Sequence, residues 1–173
     1  YNLFAPSLRV KEDVHNARKY NVSLSMAVRK WEDLPHEFEF RAYSKRDKLT
    51  ALTQYYHVIH IPAIAQNKDR IQKSITTYFT DKVVPALEAA HLTHKETHMS
   101  MDFVVMGENF DQIKVIEINP AIFTDTCLFD PVKDLSVMQN GPFEMRIRTQ
   151  VEPDLQNVLE PSWRAFLEET KDL

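Results

Sequence analysis

The stretch Val115-Ile116-Glu117-Ile118-Asn119-Pro120 decides the reading of this chain, because an apolar strand pattern ends in two hard oxygen donors and a proline. In an extended segment, side chains two apart share a face, so Glu117 and Asn119 project together. The preceding run Met99 to Met106 is β-prone, and Gly107-Glu108-Asn109 supplies the turn between them. A hairpin turning at about Gly107 to Asp111 sets Asp102 opposite the Glu117 region. Two carboxylates and a carboxamide suit magnesium, which takes one or two carboxylates and leaves room for water and phosphate oxygens. A solvent-facing strand edge carrying ordinary acids fits the same spacing.

Working outward, Glu37 to Tyr43 and Lys48 to Tyr56 flank the polar turn Ser44 to Asp47 and read as a β-hairpin. Ser23 to Trp31 alternates Leu24, Met26 and Val28 with smaller or charged residues and reads as a further strand, closed by Pro35. Between the two hairpins, Ile61-Pro62-Ala63-Ile64 breaks the sheet. Asn67 to Ala90 then carries Ile71, Ile75, Tyr78, Phe79 and Val83 at helical spacing, divided or kinked at Pro85. Residues 1 to 21 read as a polar helix. A short strand is expected over Phe143 to Thr149 and an amphipathic helix over about 154–171. The fold class is therefore α+β, an antiparallel β-sheet with flanking helices, with no internal repeat or linker in 173 residues.

Composition narrows the chemistry. Only Gly107 and Gly141 are present, roughly ten glycines fewer than usual, so no glycine-rich phosphate loop of the Walker or Rossmann kind fits in this stretch. A net charge of −4 argues against nucleic acid as partner. No segment has the length and apolarity of a membrane span, and there is no signal layout at the N-terminus, so a cytoplasmic location is the default expectation. With a single cysteine, Cys127, neither an internal disulfide nor a cysteine-based zinc site is expected, which fits a reducing compartment. His91, His94 and His98 have helical spacing but read better as a solvated helix end than as a zinc site, and His57 and His60 as sheet or loop residues.

The flanks of these residues resemble the ATP-grasp superfamily, in which an apolar strand ending in Glu-x-Asn-Pro closes the magnesium site. Within it, the chain is similar to the cell-division-cycle protein 123 family. That family's motifs stand here in order as Val28-Arg29-Lys30-Trp31, Glu39-Phe40-Arg41, Gln54-Tyr55-Tyr56, Asp102, Glu117-Ile118-Asn119-Pro120 and Thr124-Asp125-Thr126-Cys127-Leu128-Phe129. The likeness runs from about residue 22 to 131. Glu117 replaces the family's aspartate, and Cys127 stands where its pattern has leucine.

The resemblance implies one partial ATP-grasp domain over 1–173: a hinge strand at about 23–31, a C-terminal lobe at about 37–150 and a C-terminal helix at about 154–171. It implies ATP and Mg2+ as cofactors, with Arg29, Lys30, Trp31 and Arg41 at the nucleotide and Asp102, Glu117 and Asn119 on the metal. Arg41 suits phosphate because a guanidinium fork pairs two oxygens at once; as a plain surface residue it would pair across strands with Glu37 or Glu39. Asp125 reads as a turn residue. The implied function is an assembly or chaperone-type factor for a translation initiation complex, with an initiation factor subunit as protein partner. The alternatives are an ATP-dependent ligase joining a carboxylate to an amine through an acyl phosphate, and a degenerate ATP-grasp subunit with a structural role. A ligase needs a cationic site for its second substrate, yet Pro120 to Pro131 contains no Lys or Arg; only Arg146 and Arg148 could return there.

Overall fold

A computed structural model describes residues 8–25, 28, 30–92, 98–121, 124–152 and 165. The chain divides into two compact units, residues 1–33 and 34–173. In the first, helix α1 (Leu8–Tyr20) ends where expected. Asn21 takes a left-handed φ of 51°, and the Val22 amide turns back onto the Ala17 carbonyl at 2.9 Å. Asparagine tolerates that conformation better than most residues, which makes it a helix stop.

The strand expected over 23–31 is corrected by the structure. Its described residues are irregular, Leu24 and Val28 are exposed, and the five-stranded sheet includes none of them. Alternation makes a segment able to pair, but a strand exists only where a neighbour accepts its backbone bonds. Positions 26, 27 and 29 lie outside the described residues, as does the helix expected at 154–171 apart from Ala165.

In the second unit, a 3-10 turn at His36–Phe38 leads into strand β1 (Glu39–Lys45), which pairs antiparallel with β2 (Lys48–Gln54). The helical part begins at α2 (Pro62–Gln66), where proline occupies the first turn and needs no N–H partner. Next comes α3 (Lys68–Tyr78), then a π-turn at Phe79–Val83, then α4 (Val84–Ala89). The π-turn is the physical form of the break expected at Pro85. Proline has no N–H to return and its ring crowds the carbonyl four residues back, so the chain widens by one residue and the Val84 amide bonds the Phe79 carbonyl.

Strands β3 (His98–Met106) and β4 (Gln112–Pro120) form the second hairpin, followed by α5 (Leu135–Asn140) and β5 (Glu144–Arg146). The sheet order is β4-β3-β1-β2-β5. Four strands are antiparallel neighbours as expected, but β5 joins β2 in parallel, so the sheet is mixed. The cause is α5, unforeseen in the sequence, which returns the chain so that its last strand enters in the direction of β2.

One face of the sheet carries Phe40, Ala42, Leu52, Met99, Met101, Phe103 and Val105 against Ile71, Ile75, Phe79, Val83 and Leu87 of the helices. This is the main core. The opposite face holds a smaller cluster, Tyr43 and Ala51 with Phe129 and Met138, where the chain from 124 to 140 folds back over the strands. The Thr50 hydroxyl bonds the Met138 carbonyl and ties α5 down.

A polar row across the sheet

Because side chains alternate, the face opposite the helices collects every second residue of each strand. Arg146, Thr53, Arg41, Asp102 and Glu117 are successive cross-strand neighbours, one from each of the five strands. Glu39, Asp102 and Arg41 are all buried. A buried charge is tolerated only when paired, and Arg41 pairs by fork: Nε donates to Asp102 Oδ1 and Nη2 to Asp102 Oδ2, both at 2.8 Å. Its third arm, Nη1, donates to the Asp125 carbonyl at 3.0 Å, and the guanidinium lies 4.7 Å from the Tyr55 ring centroid. The partner of Arg41 is thus Asp102 on the neighbouring strand β3, not Glu37 or Glu39 as a surface reading placed it. Burial works against the Arg41 charge, but the bonds to Asp102 outweigh it and hold the guanidinium protonated more firmly than usual.

Glu117 reaches this pair from β4, with Oε1 4.0 Å from Arg41 Nη2, and Asn119 Nδ2 donates to the same Oε1 at 2.8 Å. That Glu117 and Asn119 share the face of Asp102 depends on a β-bulge. Asp102 pairs with Glu117 and Phe103 with Val115, which leaves Ile116 as the extra residue. Without the bulge, the period of two would put Glu117 and Asn119 on the face of Ile113 and Val115, which pack against the main core.

Glu39 sits beside these charges without a cation of its own. Burial, then repulsion from Asp102 and Glu117, pushes its carboxyl up to about 7 despite the opposing pull of Arg41. Burial likewise pushes the Tyr43 hydroxyl and the Cys127 thiol up to about 12.

The rim is fixed by a buried carboxamide. Gln54 Nε2 donates to the carbonyls of Tyr56 (3.0 Å) and Ile59 (2.7 Å), and its Oε1 accepts the Arg148 amide at 3.2 Å. On the other side Asp125 is held by its carbonyl, which accepts from both Arg41 and Tyr43, while its carboxylate Oδ1 accepts the Cys127 amide at 2.8 Å. That last bond is an Asx-turn, as the sequence suggested.

Of the residues singled out in the sequence, Arg41, Asp102, Glu117 and Asn119 are brought together. Lys30 and Trp31 belong to the 1–33 unit, where both are exposed, Trp31 at 81%. Arg29 lies outside the described residues. His91 follows α4 with a left-handed φ and His98 opens β3, so they share no helix face; His94 is not among the described residues. Arg146 does return to the segment after Asn119, but Asp134 and Glu144 hold it and it stacks 4.3 Å from the Phe129 ring. Arg148 pairs with Glu152 and the His57 carbonyl. Glu39, Tyr55 and the Arg146–Asp134 pair were not foreseen. For Glu39 a signal existed, since it stands two residues from Arg41 and shares its face.

A family model described as D123 matches residues 3–164, nearly the whole chain. The chain belongs to the D123 family. Two relatives carry the name translation initiation factor eIF2 assembly protein. The one from Lodderomyces elongisporus is 29% identical over 112 residues, 64% of this chain and 28% of its own length. The one from Xenopus laevis is 26% identical over 110 residues, 63% of this chain and 30% of its own length. This chain therefore spans less than a third of these curated relatives. Among solved structures, Cdc123 from Schizosaccharomyces pombe superposes with a TM-score of 0.58 at 20% identity, covering 82% of this chain and 57% of that one. A C-terminally truncated form gives 0.52 at 21% identity, over 68% and 43%. At such identity the likeness establishes the D123 member's fold and no more. Among the described residues no helix is long and apolar enough to cross a membrane.

Proposed function

We propose that the polar face of this D123-family chain is the C-terminal half of an ATP-grasp site for magnesium and ATP, and that the protein serves in assembly of the eIF2 initiation complex. The observation that carries the nucleotide reading is the gathering of Arg41, Asp102, Glu117 and Asn119 on one face of three adjacent strands. The donor set fits a hard divalent cation. Two carboxylates and a carboxamide converge, and the Asp102 oxygens, though bonded to Arg41, each retain a further lone pair. Asp102, Glu117 and Asn119 would hold the ion, which would supply charge neutralisation for a bound phosphate.

The chain's own residues have separate tasks in this proposal. The fork fixes the Asp102 carboxylate in one orientation. The bulge at Ile116 turns Glu117 and Asn119 toward it. Arg41 keeps a permanent positive charge beside the carboxylates that would hold the metal.

The assembly role rests on the printed names of the relatives. Among the described residues, the two cations that could return for a ligase's second substrate, Arg146 and Arg148, are both engaged. The test is thermal: ATP should raise the melting temperature only when magnesium is present, and Glu117→Gln with Asn119→Ala should abolish the shift. No shift in the wild-type protein would refute nucleotide binding. Co-purification with an eIF2 subunit tests the partner separately.

A further inference from the structure

Beyond the polar row, two loops of the second unit converge, residues 55–61 after β2 and residues 124–129 after β4. They bring together the His57 imidazole, the Asp125 carboxylate and the Cys127 thiol, whose ligand atoms all lie within 4.8 Å of one another. None of the three belongs to the oxygen donor set of Asp102, Glu117 and Asn119. We propose that this trio is a second cation site, selective for a thiophilic divalent metal of the zinc type.

The donor chemistry sets the choice of metal. Thiolate and imidazole favour zinc and its neighbours, whereas magnesium seeks oxygen alone. Three protein ligands with mixed N, O and S donors are the pattern of a zinc site that keeps a fourth position open. Zinc–ligand bonds of about 2.0 to 2.3 Å in a tetrahedron put ligand atoms roughly 3.5 Å apart, so closure requires movements of about an ångström at most.

The surroundings prepare each ligand. His57 Nδ1 lies 3.2 Å from the Tyr55 carbonyl; as donor to it, that nitrogen would leave Nε2 for the metal, as in ligating histidines whose other nitrogen is held by a carbonyl. The His57 carbonyl accepts Arg148 Nε at 2.9 Å, which anchors its loop. The opposite loop is anchored through the Asp125 carbonyl by Arg41 and Tyr43. Asp125 Oδ1 accepts the Cys127 amide at 2.8 Å and the Cys127 thiol lies 3.9 Å from the Asp125 carbonyl, so one tight turn holds both residues.

The test uses the untagged full chain, stripped of metal and titrated with cobalt(II) as a spectroscopic stand-in for zinc. The expected result is a thiolate-to-cobalt charge-transfer band that saturates at one equivalent, is lost on adding zinc and persists in excess magnesium. Cys127→Ser should remove the band, and His57→Gln should weaken cobalt binding about tenfold or more. Absence of the band in the wild-type chain would overturn the proposal, with no variant needed. So would displacement of cobalt by magnesium, or unchanged affinity in a folded His57→Gln chain. Circular dichroism of each variant separates loss of a ligand from loss of fold.

Discussion

Arg41 and Asp102 face one another across β1 and β3 and close a two-pronged ion pair, with both N–O distances 2.8 Å and both side chains almost wholly buried. The pair lies at the centre of the sheet, so its energetics bear on the fold as much as on any ligand. Removing one partner leaves the other charged in a low-dielectric interior, which costs more than the pair itself contributes. Asp102→Asn is therefore expected to destabilise the protein by about 3 to 5 kcal/mol, read from urea unfolding. Arg41→Met combined with Asp102→Leu should recover most of that loss, because the stranded charge is gone. A small effect of Asp102→Asn alone would mean that water reaches the pair. For the same reason Asp102 is a poor probe of magnesium binding, whereas the exposed Glu117 and half-buried Asn119 can be changed at little structural cost.

The bulge at Ile116 makes a sharper prediction than any single side chain. Deleting Ile116 removes the residue that β3 leaves unpaired, so Glu117 follows Val115 directly and stays opposite Asp102, with Asn119 on the same face. The shortened chain should therefore fold and keep amide exchange protection in β3 and β4. Loss of that protection would mean that the bulge itself, and not only the face it selects, is needed for pairing. Ile116→Val, which keeps the residue count, should remain folded and retain any magnesium-dependent response to ATP.

The sequence disclosed the parts of this site better than their arrangement. Glu117-x-Asn119 and Asp102 were legible because strand periodicity and a short hairpin suffice to bring them close. Their common face was inferred correctly, yet the device that secures it was not. In Ile113, Val115, Glu117 and Asn119 the odd positions change from apolar to polar midway, a phase shift that only the pairing with β3 turns into a bulge. The Arg41–Asp102 pair was missed because the two are 61 positions apart and nothing local selects Asp102 over Glu37 or Glu39. The strand expected over 23–31 failed for the converse reason, since its alternation is local while pairing is not. The parallel entry of β5 depended on α5, a helix too short at Leu135–Asn140 to show a hydrophobic period.

Gln54 is a buried hub that a stability measurement can expose. Its carboxamide serves the Tyr56 and Ile59 carbonyls and the Arg148 amide, so the loop carrying His57 and the chain leaving β5 share one anchor. Gln54→Leu keeps most of the volume but leaves those backbone groups without this partner, at a cost of about 1 to 3 kcal/mol for each that water cannot reach. The expected result is a lower urea midpoint with faster exchange of the Arg148 amide. Gln54→Glu should be worse, because it would set a buried, unpaired carboxylate against two carbonyl oxygens.

Glu39 makes stability depend on pH with a sign opposite to that of a salt-bridged acid. Its folded-state value is about 7 against an ordinary 4.5, so between these limits the folded chain keeps a proton that the unfolded chain has released. Stability through this group is therefore greatest below pH 4.5, falls as pH rises through the interval and levels off above about 7. Other groups titrate over the same range, so the useful quantity is the difference between wild type and Glu39→Gln, which is neutral throughout. That variant should melt at nearly the wild-type temperature at the acid end and progressively higher above it, with the gap constant beyond neutrality. A gap that does not change with pH would mean that Glu39 releases its proton at the same pH in the folded and unfolded chains, its burial offset by a share of the Arg41 charge.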